Sequence, residues 1–286
     1  MFNLVNTWQF NVVAYLLCVV IFAPFYKLAV RNAKNDGAVT AMLQMMAGLI
    51  LLLISPLFKY NFSISLRTVI LLLVSCIFYA INDRLQTTSR KHIEVSLISI
   101  IGELSSVFLI IIGLLVFHES ISPLKMVGGV LILLSNFIVL YKGNKFEINK
   151  YIVMGILSTI AYAIAVSIDI GISPQFNLPI YIAITLIVPS MFILAAERIK
   201  PSELLTEYKL SNKKYCWLMS LSWGLLIIFS LRSFQLGKIT TIVPLQAVGI
   251  FLNVLLSYVF MNEKKDHLKK IVASILIIAG VYLTVI

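Results

Sequence analysis

The sequence predicts an all-α integral membrane protein, with ten transmembrane helices arranged as two inverted five-helix repeats. Three observations carry that reading. Hydrophobic residues make up 60% of the 286-residue chain, charged residues only 12%, and the mean hydropathy is +1.00. A soluble domain carries about twice that charged fraction and polar faces on its helices. Apolar runs of membrane-crossing length follow one another through short polar connections, and the second half of the chain repeats motifs of the first at a fixed offset.

A bilayer core of about 30 Å calls for about 20 apolar residues per helix. That ruler places spans at Trp8–Ala29, Ala38–Leu57, Leu66–Gln86, Val95–Phe117, Lys125–Tyr141, Tyr151–Ile170, Leu178–Ala196, Tyr215–Gln235, Thr240–Met261 and Lys269–Ile286. Helices are required because lipid offers backbone groups no hydrogen-bond partner. The first run has no basic segment before it and no small-residue cleavage site after it, so it reads as a membrane helix and not as a signal peptide. Glu197 to Lys214 is the longest connection, an amphipathic or irregular surface segment. Tyr26, Tyr60, Tyr141, Tyr151, Tyr215 and Trp217 fall at run ends, where amphipathic rings suit the interface.

The internal repeat has a constant offset of 144 residues: Ser96 aligns with Thr240, Phe117 with Met261, Glu119 with Glu263, Lys125 with Lys269 and Gly129 with Ala273. It divides the chain into residues 1–145 and 146–286. Five spans is an odd number, so the second repeat enters the membrane from the opposite side. Inverted repeats of this kind build alternating access around a site near the midplane.

The net charge of +11 comes from 23 Lys and Arg against 12 Asp and Glu. Most of the basic residues lie in connections after the odd-numbered spans, which the positive-inside rule assigns to the cytoplasm, with both termini outside. The longest basic cluster, Lys264 to Lys270, is too short for a nucleic-acid face. Cys18, Cys76 and Cys216 are isolated, and His92, His118 and His267 are scattered, so neither a disulfide framework nor a metal site is indicated. No nucleotide-binding loop or hydrolase elbow is present, and no cofactor is expected.

The stretch Leu115-Val116-Phe117-His118-Glu119-Ser120-Ile121-Ser122, followed by Lys125 and Gly128-Gly129-Val130-Leu131-Ile132-Leu133-Leu134, resembles the repeat signature of EamA-type proteins of the drug/metabolite transporter superfamily. Its second copy, Ile239-Thr240-Thr241-Ile242-Val243-Pro244 through Asn262-Glu263 to Ala279-Gly280-Val281, is similar to EamA repeats and to the small multidrug resistance proteins. The resemblance implies ten helices in two inverted repeats. It also implies carriage of metabolites, amino acids or toxic compounds across the plasma membrane, driven by protons or by exchange. It implies both termini inside, against the charge count. The small multidrug resistance proteins keep an essential glutamate in their first helix, where this chain has no carboxylate, so coupling residues are argued from this sequence alone.

An ionisable residue inside a span costs at least about 2.5–3.5 kcal/mol to insert, so each calls for a partner or a purpose. Glu103 is the best placed, about 12–13 Å into the fourth span at 1.5 Å per residue. Gly102 beside it permits close helix approach, and Ser105 and Ser106 can hydrogen-bond across helices. Its alternative is an ion pair with Arg84. Asp83 and Arg84 lie about 100° apart on one helix, so one faces inward and the other the interface. Asp169 and Arg232 lie on the same side of the membrane, as a ground-state pair or gate, or with Arg232 holding a substrate carboxylate. Asn82, Gln44, Gln246 and Asn253 could line the path, with Tyr79 and Trp223 as an aromatic wall. Glu119 and Glu263 suit the orientation of short turns or pairing with Lys125 and Lys269. Pro24, Pro189 and Pro244 suit hinges or kinks.

The reading that follows is a secondary transporter of small solutes, an exporter working by alternating access. Glu103, Asp83, Arg232, Asn82, Gln246, Tyr79 and Trp223 stand on the substrate or coupling-ion path, and Arg84 and Asp169 in structural pairs or a gate. The alternatives are a non-transporting membrane subunit and an intramembrane lipid-handling enzyme, the latter without an evident nucleophile or metal. The partners expected are the bilayer, a small-molecule substrate and protons, with a homodimer left open.

Overall fold

A computed structural model describes residues 7–58, 64–115, 122–142, 145–146, 148–236 and 239–285. They form a membrane helical bundle. The helices are α1 (Trp8–Val30), α2 (Asp36–Ile54), α3 (Leu66–His92), α4 (Val95–Gly102), α5 (Leu104–Leu115), α6 (Pro123–Leu140), α7 (Lys150–Ile172), α8 (Leu178–Ala196), α9 (Pro201–Leu210), α10 (Lys213–Leu236), α11 (Ile239–Phe260) and α12 (His267–Val285). Six of them, α1, α2, α3, α7, α8 and α10, are long and apolar enough to cross a membrane, and shorter apolar helices run over Met126–Val139 and Val248–Phe260. Their large apolar side chains, such as Leu17, Leu53, Leu133 and Tyr282, cover the outer surface. That surface fits a lipid solvent and would be an aggregation liability in water.

Helix starts follow local chemistry. Thr7, Asn35, Ser65, Asn149 and Asn177 each accept a hydrogen bond from a backbone amide in the first turn of the helix they precede, satisfying a donor with no intrahelical partner. Pro179 sits in the first turn of α8, where its missing N–H leaves no ladder bond unmade. Pro24 and Pro189 fall inside α1 and α8. Tyr141–Lys142 pairs antiparallel with Lys145–Phe146, a small hairpin that apolar-run counting did not foresee.

Packing is by pairs that join the two ends of the sequence. The helix α1 lies along α10, α3 along α7, α2 along α8 and α6 along α12, while α11 contacts α12 and α1. Lipid removes the hydrophobic drive between helices, so close packing and hydrogen bonds hold these pairs. Small residues set the approach. A Cβ on Gly280 of α12 would meet the Gly128 carbonyl oxygen of α6 at 2.8 Å. Two apolar clusters result, one around Tyr26, Leu43, Tyr181 and Trp223, the other around Ile100, Ile132, Val254 and Ile277.

Two expectations are corrected. Tyr26 is fully buried in the first cluster and is not an interfacial anchor. Its hydroxyl pairs with Thr87 Oγ1 at 2.7 Å, which lets the ring sit inside. Gly102 is at no close approach, because a Cβ there would meet nothing within 4 Å. The fourth predicted span also differs, since it is two helices that meet at Glu103. Glu103 N donates to the Ile100 carbonyl at 3.2 Å, a tightened last turn, and Ser105 Oγ takes the Gly102 carbonyl at 2.7 Å. These bonds replace ladder bonds that the break removes.

Candidate functional site

The break at Glu103 opens onto a cavity of about 190 Å³ between α1, α3, α4, α5, α7, α10 and α11. It lies where the two apolar clusters meet, since Phe22 of the first and Ile98 and Ile250 of the second both line it. Its polar lining includes Tyr15, Gln86, Arg90, Glu103, Tyr162 and Gln246. Such a cluster inside a membrane protein marks a solute or ion path by default.

The helix α3 contributes a stripe. Asn82, Gln86 and Arg90 recur every fourth residue and so share one face, and all three line the cavity. Arg90 is buried, with its guanidinium 5.0 Å from the Tyr26 ring centroid and 5.3 Å from that of Phe22. Its Nε and Nη1 have no hydrogen-bond partner among the described residues. Asn82 gives Nδ2 to Asp83 Oδ1 at 2.7 Å, and its own Oδ1 has no partner among the described residues. On α11, Gln246 is tied to α10, accepting from Ser230 Oγ at 3.3 Å and donating to Ser233 Oγ at 3.0 Å. Asn253 donates to Ser99 Oγ of α4 at 3.3 Å, and its Oδ1 has no partner among the described residues.

Of the residues singled out from sequence, Glu103, Asn82, Gln246 and Asn253 meet at this cavity. The others sit elsewhere. Asp83 is buried beside it, accepting from Gln44 Nε2 and Asn82 Nδ2, both at 2.7 Å. Trp223 packs in the core against Phe22 and Tyr26. Tyr79 donates to Asp169 Oδ2 at 2.6 Å, and Asp169 Oδ1 accepts from Ser75 at 2.7 Å and Tyr181 at 2.5 Å. Three hydroxyls from α3 and α8 thus surround that carboxylate of α7. Arg232 gives Nη1 to Gln235 at 3.1 Å and is not among the lining residues. Arg84 reaches Glu197 at 2.5 Å and Thr88 at 2.5 Å. Glu119 lies outside the described residues, as does the side chain of Lys125.

Sequence reading missed Arg90, because ending the third span at Gln86 left it among the loop charges. The every-fourth-residue series Asn82, Gln86, Arg90 was the available signal.

At the helix ends after α1, α3, α8 and α11, side chains of the second half tie down the first. Glu263 Oε1 accepts from Val95 N at 2.8 Å, and its Oε2 accepts from Ser96 N at 3.1 Å and Ser96 Oγ at 2.7 Å. Glu207 of α9 accepts from the Lys34 and Asn35 amides at 2.8–3.2 Å. Glu203 accepts from Lys200 N and from Asn35 Nδ2, and these bonds, with the Lys200 amide first, hold its carboxyl below the usual range. Lys270 pairs with Glu94, and within the first half Lys91 pairs with Asp36 at 2.8 Å.

Residues 6–141 match the EamA-like transporter family. No curated protein matches the chain. Twenty chains of solved structures match its fold. One of them, described as a crystal structure of a protein, superposes with a TM-score of 0.56 at 12% identity, over 96% of this chain and 95% of its own. At that identity the likeness is one of fold. Over residues 6–141, then, this multi-pass membrane protein is similar to the EamA-like transporter family.

Proposed function

We propose that the protein is a secondary exporter of small metabolites at the plasma membrane, working by alternating access between two inverted five-helix repeats, residues 1–145 and 146–286. The observation that carries this reading is the polar cavity at the break beside Glu103, walled by helices of both halves. Discontinuous helices at a repeat interface are where such carriers place their sites. The packing supports the repeat. Exchanging α1, α2, α3 and α6 for α7, α8, α10 and α12 turns the α1–α10 pair into the α7–α3 pair, and returns α2–α8 and α6–α12 to themselves. Glu103 is the coupling carboxylate, exchanging a proton or a cationic group as the cavity changes sides.

The test is solid-supported-membrane electrophysiology on proteoliposomes, with amino acids, polyamines, cationic dyes and sugar derivatives, with and without a proton gradient. A transient current with one class, lost in a folded Glu103→Gln variant, is the expected result. Silence across the panel, with a second protein co-purifying in mild detergent, would replace this reading with that of an accessory subunit.

A further inference from the structure

We propose that α9 and the start of α10 form a docking surface for the headgroups of anionic phospholipids. The inference stands apart from the transport reading, because none of the residues that carry it lines the cavity.

The segment from Glu197 to Lys214 sorts its charges by side. It carries three carboxylates, and each is engaged by the protein: Glu197 by Arg84, Glu203 by Lys200 N and Asn35 Nδ2, and Glu207 by the Lys34 and Asn35 amides. Its five basic residues, Arg198, Lys200, Lys209, Lys213 and Lys214, are all exposed. Helical periodicity makes the division within α9. Glu203 and Glu207 are four residues apart and share the face that grips the turn after α1. Leu205 and Lys209 are also four apart and lie about 200° round the helix, with Leu205 58% exposed. The outer face is thus cationic and apolar together, the composition of a helix that lies in a membrane interface.

Aromatic contacts set its depth. At about 15 Å, α9 is half as long as the bilayer core is thick. It links two helices that are long enough to cross, so it lies along one membrane face. Trp217 of α10, itself exposed, donates its indole Nε1–H to the Tyr208 hydroxyl of α9 at 3.2 Å. Amphipathic rings of this kind settle at headgroup level. Lys213 Nζ lies 5.7 Å from the centroid of the Tyr208 ring, which puts its charge at the same level. A lipid phosphodiester there meets ammonium groups while its chains meet Leu205 and Trp217. A zwitterionic lipid brings a cation of its own and gains less from the lysines, and a free phosphate has no chains for the apolar side chains to cover.

The experiment titrates the full-length protein in mild detergent with phosphatidylglycerol or phosphatidylcholine of the same chains, and counts bound lipid by native mass spectrometry. Phosphatidylglycerol is expected to bind more tightly, and high salt to weaken it. At about fivefold per lysine near the surface, Lys209→Gln combined with Lys213→Gln should weaken phosphatidylglycerol binding roughly 30-fold and leave phosphatidylcholine unchanged, with folding checked by size exclusion. Lys209→Arg combined with Lys213→Arg keeps the charge and should bind as the wild type does. Lys264→Gln combined with Lys265→Gln, at exposed positions of another loop, should also bind as the wild type does. Equal binding of the two lipids, full phosphatidylglycerol binding in the folded Lys209→Gln, Lys213→Gln variant, or an equal loss in the Lys264→Gln, Lys265→Gln control would each overturn the assignment. So would displacement of the lipid by millimolar inorganic phosphate or glycerol 3-phosphate, which would make the surface a site for soluble anions.

Discussion

Replacing Glu263 should loosen the short helix on which the cavity depends. The helix α4 has only eight residues, and its first-turn donors have no intrahelical acceptor. Glu263 supplies one from a distant part of the chain, through three bonds of 2.7–3.1 Å. Its negative charge also lies at the positive end of the helix dipole. Glu263→Ala strands two buried backbone N–H groups, each worth about 1–3 kcal/mol when left unmade, giving a loss of roughly 2–6 kcal/mol. Glu263→Gln keeps the shape but gives up the charge and one acceptor, a loss of about 1.5–3 kcal/mol. Ser96→Ala removes only the hydroxyl bond and should cost about 1 kcal/mol. The assay is thermal unfolding in detergent together with hydrogen exchange at α4. The order Ala, Gln, Ser96→Ala from most to least destabilised is expected, with the lost protection concentrated at the first turn of α4. Wild-type stability and exchange in Glu263→Ala would refute the reasoning.

Three further outcomes follow from the packing. Gly280→Ala drives a methyl against the Gly128 carbonyl at 2.8 Å, so about 1–3 kcal/mol of overpacking should outweigh the gain of up to about 1 kcal/mol in helix propensity. Gly129→Ala meets nothing within 4 Å and should be neutral or stabilising, so equal thermal shifts for the two variants would contradict the close approach of α6 and α12. Asp169→Ala removes three charge-assisted bonds and should destabilise by about 3 kcal/mol or more, read as a lower midpoint of thermal unfolding. Arg84→Gln breaks a pair whose side chains are 26% and 35% exposed, and should change stability by less than about 1 kcal/mol in the same measurement.

Helix positions were legible because lipid imposes one strong rule, unbroken apolar length, and α8 runs over the same residues as its predicted span. Where polarity re-enters a helix the rule fails. Apolar counting stops at Gln86, yet α3 continues to His92, because Thr87, Thr88, Ser89 and Arg90 are buried by neighbouring helices and are not lost to water. The break at Glu103 was equally hidden, since Leu104 onward is as apolar as the residues before it. At the site, Glu103 was legible as a lone charge in an apolar run. The roles of Asp83 and Asp169 were not, because a partner such as Tyr181 or Gln44 arrives from another helix, which one sequence does not position.

The cap that Glu263 places on α4 also orders events in time. Its acceptor is made 168 residues after the first donor it serves. At about 5–20 residues per second of synthesis, α4 waits roughly 8–34 s in the membrane with its first turn unfinished. The wall that carries Glu103 is therefore among the last parts of the molecule to set, and a chain truncated before residue 263 would hold the helices of the first half without the fixed cavity they frame.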